Sequence, residues 1–281
     1  METLRRVSEM QRWAEQARLA GKRVALVPTM GYLHEGHLSL VREARRRGDV
    51  TVVSIFVNPI QFNQRQDLTA YPRDFERDRR LLEELGVDVL FCPDEGEMYP
   101  EGFQTAVSVE RLTEPLCGGF RPGHFRGVTT VVAKLFNIVK PHVAVFGEKD
   151  FQQCVVVKRM ARDLSFDVQV VGMPTVREAD GLAMSSRNAR LSPHERRESL
   201  CVFRALEAAR GMVQAGERGA EPVLRRVREI ITAEKSARLE YASVCDPDTL
   251  EEVSRISGPT LLAVGVWIGD VRLIDNARLI P

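Results

Sequence analysis

The sequence predicts an α/β protein: an N-terminal Rossmann-like domain built on a parallel sheet, with a smaller α+β domain after it. Up to about residue 176, short continuous apolar runs alternate with segments of helical length, as in a parallel sheet covered on both faces. Beyond that point two helical stretches lead into short strands of alternating character, which suits an antiparallel sheet. The length, 281 residues with 44% apolar, is long for one domain and suits two unequal ones, placed at 1–175 and 176–281.

The N-terminal stretch carries Leu4, Val7, Met10, Trp13, Ala14, Ala17 and Leu19 at the spacing of an amphipathic helix. Residues 24–29 (VALVPT) read as a buried strand, 37–47 as a helix, and 50–58 as a β-branched strand. A helix over 74–86 ends at Gly86, and the strand 87–93 ends at Pro93. A helix over 127–140 follows, then a strand and loop over 143–150, a helix over 151–164 and a strand over 166–176. The second domain is predicted as helices over 194–215 and 219–236 and strands over 239–246, 260–269 and 271–280.

Lys plus Arg is 40 against 39 Asp plus Glu, a net charge of +1, which argues against a dedicated nucleic-acid binder. No stretch is apolar enough for a membrane span, and the charged N-terminus is not a secretory signal. Cys92, Cys117, Cys154, Cys201 and Cys245 are odd in number, scattered and without CxxC spacing. They imply reduced thiols in a cytoplasmic protein.

The chemistry gathers in TMGYLHEGHLSL (29–40), at the first strand-to-helix turn. Ligands of an open parallel sheet bind beyond the carboxyl ends of its strands, and helix N-termini there favour phosphates. His34 and His37, three apart, lie on one side of a helical turn. Two imidazole donors there can bond a triphosphate and follow the charge that develops as pyrophosphate leaves. Gly36 leaves room for a nucleotide. A histidine pair at this spacing is more often structural, and a zinc reading lacks both the HExxH pattern and a third ligand. A second segment, GLAMSSRNARLS (181–192), joins two hydroxyls to Arg187 and Asn188. A polar loop of this kind can close on phosphates, although alone it would be an ordinary loop.

Together HxGH and MSSRN resemble the HxGH nucleotidyltransferase group, whose sheet is that of class I aminoacyl-tRNA synthetases. VPTMGYLHEGHLSLV, SIFVNPIQF, YPRDFERD, RPGHFRGVTTVVAKLFNIVKP, FGEKDFQQ, DGLAMSSRN and GDVRLIDN, in this order, closely resemble the pantothenate synthetase (pantoate–β-alanine ligase) family from about residue 20 to the C-terminus. The resemblance implies an ATP-dependent, AMP-forming ligation. Pantoate carboxylate attacks the α-phosphate, giving pantoyl adenylate and pyrophosphate, and β-alanine then gives pantothenate and AMP.

The resemblance also implies site residues. His34, His37, Lys149 and Arg187 carry the catalytic roles. Met30, Gly31, Tyr32, Leu33, His34, Glu35, Gly36 and His37 form the first nucleotide-binding stretch, with Pro28 and Thr29 at its edge. Gly147, Glu148, Lys149 and Asp150 form the second, with Asp150 on ribose. Val176, Met184, Ser185, Ser186 and Arg187 form the third. Gln61, Gln153 and Asn58 contact pantoate, because an amide offers donor and acceptor without charge. Met30, Phe56 and Val132 are candidates for the wall against its methyl groups. Mg²⁺ is implied by ATP, with no ligand assigned; Asp78 and Asp74 are candidates only. His124 is either a lid residue or part of a structural loop. A homodimer is implied, with no nucleic-acid or membrane partner. An adenylyltransferase with a phosphorylated acceptor and a non-catalytic nucleotide sensor remain as alternatives.

Overall fold

The computed structural model describes residues 1–63 and 65–281 and falls into two compact units. The first comprises Met1–Glu110, Arg121–Glu148 and Gln153–Pro174; the second comprises Arg111–Phe120, Lys149–Gln152 and Thr175–Pro281. Two short segments, 111–120 and 149–152, group with the second unit although they precede the rest of it in sequence.

The first unit is a six-stranded parallel sheet. Its strands are β1 (Glu2–Leu4), β2 (Val24–Thr29), β3 (Val50–Ile55), β4 (Val89–Phe91), β5 (Val143–Gly147) and β6 (Gln169–Met173), in the order β1-β4-β3-β2-β5-β6. The helices between them are α1 (Val7–Leu19), α2 (Glu35–Arg47), α3 (Arg65–Thr69), α4 (Phe75–Glu84) and α5 (Glu95–Met98). After α6 (Cys117–Phe120), in the second unit, come α7 (His124–Val139) and α8 (Phe151–Asp163).

Alternate residues of each strand serve opposite layers. Val24 and Leu26 pack with Met10 and Ala14 of α1 and with the apolar side of α7. Ala25 and Val27 pack with Leu40, Val41 and Ala44 of α2 and Leu82 of α4. Both faces are therefore covered, which explains the continuous apolar strands. Each fully buried aliphatic side chain in these layers contributes about 1.5–3 kcal/mol.

From β2 the chain order runs outward through β3 and β4 on one side and through β5 and β6 on the other. The crevice between β2 and β5 is thus the switch point at which open α/β sheets bind ligands. β2 pairs with β3 along its whole length but with β5 only at Ala25–Val143 and Leu26–Ala144. Pro28, which cannot donate to a ladder, falls beyond the last of these pairs.

The second unit holds the antiparallel sheet β7 (Ala237–Cys245), β8 (Thr260–Ile268) and β9 (Val271–Leu279). The helices α10 (Leu200–Gln214) and α11 (Ala220–Thr232) pack on it through Val202, Leu206, Val223, Val227 and Ile231.

Several boundaries differ from expectation. The helix expected over 194–215 is two, α9 (Pro193–Glu198) and α10, parted at Ser199, whose hydroxyl bonds back to the Arg196 carbonyl at 2.8 Å. β3 ends at Ile55, because Asn58 and Pro59 begin a 3-10 turn over Pro59–Gln61. α7 starts at His124, so the RPGHFRG segment is half helix. No sequence pattern predicts β1, a three-residue strand ahead of α1. Cys92, Cys117, Cys154, Cys201 and Cys245 are unbridged and buried.

Candidate active site

The loop leaving β2 is fixed from several sides. Thr29 Oγ1 donates to the Ser54 carbonyl at 2.8 Å and accepts the Gly31 N–H at 3.2 Å. Gly31 (φ +80°) and Tyr32 (φ +51°) are both left-handed, which turns the chain back toward the sheet. Tyr32 cannot hold this conformation cheaply, since a left-handed residue other than glycine costs about 1–3 kcal/mol. Asp78 supplies the compensation. Its carboxylate accepts the Tyr32 N–H at 2.6 Å and the Leu33 N–H at 2.8 Å. Arg77 Nη1 donates to the Leu33 carbonyl at 2.9 Å.

The loop delivers His34 to the N-cap of α2 and His37 to the third helical position. The His34 backbone N–H donates to His37 Nδ1 at 3.4 Å, and the ring centroids stand 4.1 Å apart. This is half of a capping box with imidazole in place of the usual Glu or Gln. An accepting Nδ1 matches the tautomer whose proton sits on Nε2. Glu35 and Gly36 are the first two residues of α2, and Glu35 pairs with Arg42, which keeps its carboxyl below the usual range.

The NPIQ turn builds the second element. Gln61 is only 8% exposed. Its carbonyl accepts from His124 Nδ1 at 2.8 Å, and Arg121 Nη1 stands 3.2 Å from His124 Nε2. Its side-chain Oε1 accepts from Asn58 Nδ2 at 2.9 Å, and its Nε2 lies 3.1 Å from Met30 Sδ. Expected as a substrate contact, Asn58 is instead 1% exposed and sits behind Gln61. Its Nδ2 also donates to the Gly127 carbonyl at 3.1 Å, and its Oδ1 accepts from Tyr99 Oη at 2.7 Å. A Cβ at Gly127 would stand 2.6 Å from Gln61 Cα, so glycine is what lets α7 reach the turn. His124 is thus a buried clamp under Gln61 and not a lid residue.

Met30 and Phe56 line a common cleft of about 280 Å³ with Tyr32, Arg73, Phe75 and Pro93. Val132 is 4% exposed in the core behind the sheet and forms no part of that wall. Gly147 ends β5, and Glu148 lies against the open face of Gly172 on β6. Gln153, half-buried on α8, has no side-chain hydrogen bond among the described residues, whereas neighbouring Gln152 is committed to structure in the second unit. Gln152 accepts the Cys117 N–H at 3.0 Å and donates to the Leu112 and Pro115 carbonyls.

In the second unit, Val176 and Met184 meet across a hairpin, the Met184 N–H donating to the Val176 carbonyl at 3.0 Å. Ser185 accepts the Arg187 N–H at 3.2 Å and starts a 3-10 turn over Ser186–Arg190. Asn188 ties the hairpin together through Glu178 and the Ala183 carbonyl. Asp275, 3% exposed, forms a two-point ion pair with Arg177 at 2.7 and 3.0 Å, and Arg177 holds the Gly181 carbonyl. Asn276 Nδ2 donates to the Lys149 carbonyl at 3.0 Å, and Lys149 Nζ is 3.9 Å from Asp150. Asp275 and Asn276 therefore position residues singled out from the sequence. The only signal of this was their place in GDVRLIDN.

Neither metal candidate fits. Asp78 is 1% exposed with its oxygens on backbone N–H groups, and burial holds its carboxyl above the usual range. Asp74 caps α4 through the Arg77 N–H. Among the described residues no group of three or more His, Cys, Asp and Glu side chains could hold an ion.

A histidine pair at the helix N-terminus beside the switch point of a parallel sheet defines a nucleotide-dependent α/β enzyme. The family model for pantoate-beta-alanine ligase matches residues 2–278, and the chain belongs to that family. It is accordingly an enzyme of ATP-dependent condensation, joining pantoate to β-alanine. The pantothenate synthetase of Geobacter sulfurreducens is 57% identical over 273 residues, 97% of this chain and 96% of the relative. That of Syntrophobacter fumaroxidans is 55% identical over 281 residues, 100% of this chain and 99% of the relative. The crystal structure of pantothenate synthetase from Thermus thermophilus matches with a TM-score of 0.95 at 49% identity, covering 100% of both chains. The Francisella tularensis pantoate-beta-alanine ligase, complexed with beta-gamma ATP and beta-alanine, matches with a TM-score of 0.83 at 32% identity, covering 99% of this chain and 97% of that one.

Proposed function

We propose that the condensation runs through a pantoyl adenylate and that the residues named above divide its work. In the first step a pantoate carboxylate oxygen attacks the α-phosphorus of ATP, and the bond to the β-phosphate breaks. In the second the β-alanine amine attacks the acyl carbon, the bond to AMP breaks, and the amine proton is lost to water. A carboxylate is a poor electrophile, and this activation gives it a leaving group. The observation that carries the reading is the imidazole pair at the start of α2, with His37 Nδ1 turned to the His34 backbone N–H.

The attacking carboxylate needs no deprotonation, so His37 and His34 stabilise charge on the phosphates. Lys149 and Arg187 add positive charge for the departing pyrophosphate. Gly147, Glu148, Asp150, Val176, Met184, Ser185 and Ser186 bind the rest of the nucleotide, with Asp150 on ribose. Gln61 and Gln153 hold pantoate, and Met30 and Phe56 face its methyl groups. Mg²⁺, when bound, would come with the nucleotide and offset phosphate charge, since Asp78 and Asp74 are engaged by backbone N–H groups. From the family resemblance we take a homodimer, tested by sedimentation. The five unbridged thiols support a cytoplasmic location, tested by cell fractionation.

The test is AMP release from ATP with pantoate, with and without β-alanine, by wild type and by His37→Ala. AMP that needs both substrates, pyrophosphate in a single-turnover burst with pantoate alone, and loss of both in the variant are expected. Transfer of AMP to a phosphorylated acceptor, with no reaction of pantoate, overturns the reading in favour of an adenylyltransferase.

A further inference from the structure

The hydrogen bonds behind Gln61 form a directed chain with a defined end. The Gly127 carbonyl can only accept, so the Asn58 atom facing it is the amino nitrogen and the atom facing Tyr99 is the oxygen. The two hydrogens of Asn58 Nδ2 then go to the Gly127 carbonyl and to Gln61 Oε1. Turning the Gln61 amide over would set two amino groups against each other at 2.9 Å. Its oxygen is therefore turned to Asn58, and its amino group points the other way, one hydrogen directed at Met30 Sδ at 3.1 Å and the second left to donate. The Gln61 carbonyl is pinned separately by His124, so the side chain has little freedom to escape this arrangement. Burial raises the Tyr99 pKa, which keeps its hydroxyl protonated and able to donate.

We propose that Tyr99 is a positioning residue which, through Asn58, fixes Gln61 as a hydrogen-bond donor, so that the acid substrate must present an acceptor at this point. This rests on the assignment of Gln61 to the pantoate site. An amide free to rotate would accept a substrate hydroxyl proton as readily as it donates. With its oxygen held, it selects a carboxylate or hydroxyl oxygen and rejects an analogue that offers only a donor.

The experiment is a double-mutant cycle on the full chain, using Tyr99→Phe, Gln61→Met and both together, with KM and kcat for pantoate, KM for ATP, and thermal midpoints. Tyr99→Phe keeps the ring and should raise the pantoate KM about 3- to 10-fold, the worth of one ordinary hydrogen bond, with the ATP KM unchanged. In the Gln61→Met background the same change should have no further effect on the pantoate KM. Asn58→Asp offers Gln61 only acceptors, turns its oxygen outward, and should weaken pantoate about 100-fold or more. Full additivity of Tyr99→Phe and Gln61→Met, or equal losses toward ATP and pantoate, overturns the relay and leaves Tyr99 a packing residue. A wild type that releases no AMP overturns instead the reading on which the relay rests.

Discussion

Tyr32 donates its backbone N–H to Asp78 across 2.6 Å while standing at φ +51°, so one buried carboxylate holds the strained residue two positions before His34. Asp78→Asn should lower kcat/KM about 10- to 100-fold, the loss of one charge-assisted hydrogen bond, because the new amino group must face an N–H. Steady-state AMP release measures this. Unchanged activity would mean that the loop keeps its shape without the carboxylate.

Removing the His37 imidazole takes away the acceptor of the His34 N–H and, on the proposed reading, a phosphate donor with it. His37→Ala should lower kcat about 10²- to 10³-fold, the usual cost of one preorganised donor. Rapid-quench analysis of pyrophosphate formation should place the loss in the first step. A defect confined to β-alanine attack would contradict this assignment.

Gly127→Ala would press a methyl carbon to within 2.5 Å of the Ile60 carbonyl oxygen and 2.6 Å of Gln61 Cα. Overpacking of this kind costs about 1–3 kcal/mol. The pantoate KM should rise with little change toward ATP, since the displaced turn carries Gln61. Chemical denaturation and paired KM values check the two halves of this statement.

Asp275→Asn leaves the Arg177 guanidinium, itself only 20% exposed, without its charge partner. Breaking a buried pair from one side costs about 3–5 kcal/mol. The denaturation midpoint should fall, and nucleotide affinity with it, because Arg177 also holds the Gly181 carbonyl beneath the Met184 hairpin. Isothermal titration with ATP would show whether the hairpin needs this support.

His142 Nδ1 accepts the Val24 N–H at 3.0 Å, and burial, aided by Arg18 and Arg23, lowers its pKa below 6.5. A lowered histidine binds its proton less readily in the folded than in the unfolded state. Its contribution is therefore intact above pH 6.5 and is lost as pH falls below that value toward the folded pKa. His142→Asn should flatten the fall in thermal midpoint between about pH 7 and pH 5. An equally steep fall in the variant would assign the slope to other groups.

The sheet was legible because both of its faces are buried, which writes its strands as unbroken apolar runs. The strand β1 was not: three residues with one buried side chain leave no period to detect. His34 and His37 were legible as candidate chemistry from their spacing, and Gln61 only through the family resemblance. Their supports were less so, because Asp78, Tyr99 and Asn58 act across 41 to 46 positions of sequence or through backbone groups that every residue shares. Asn58 shows the limit best. Residue type marked it as polar and near the site, but only burial reveals that it faces Gln61. His124 was ambiguous for a related reason: a Gly/Pro-rich approach reads as a loop whether or not a helix begins within it.

The buried thiols make the native chain a poor target for alkylating reagents. Cys201 and Cys245, both fully enclosed and with thiols pushed up to about 12, react only when their surroundings open. Cys92 and Cys154 lie in the first unit; Cys117, Cys201 and Cys245 lie in the second. Their order of labelling in mild denaturant is therefore a built-in record of which unit loosens first, read by mass without any engineered probe.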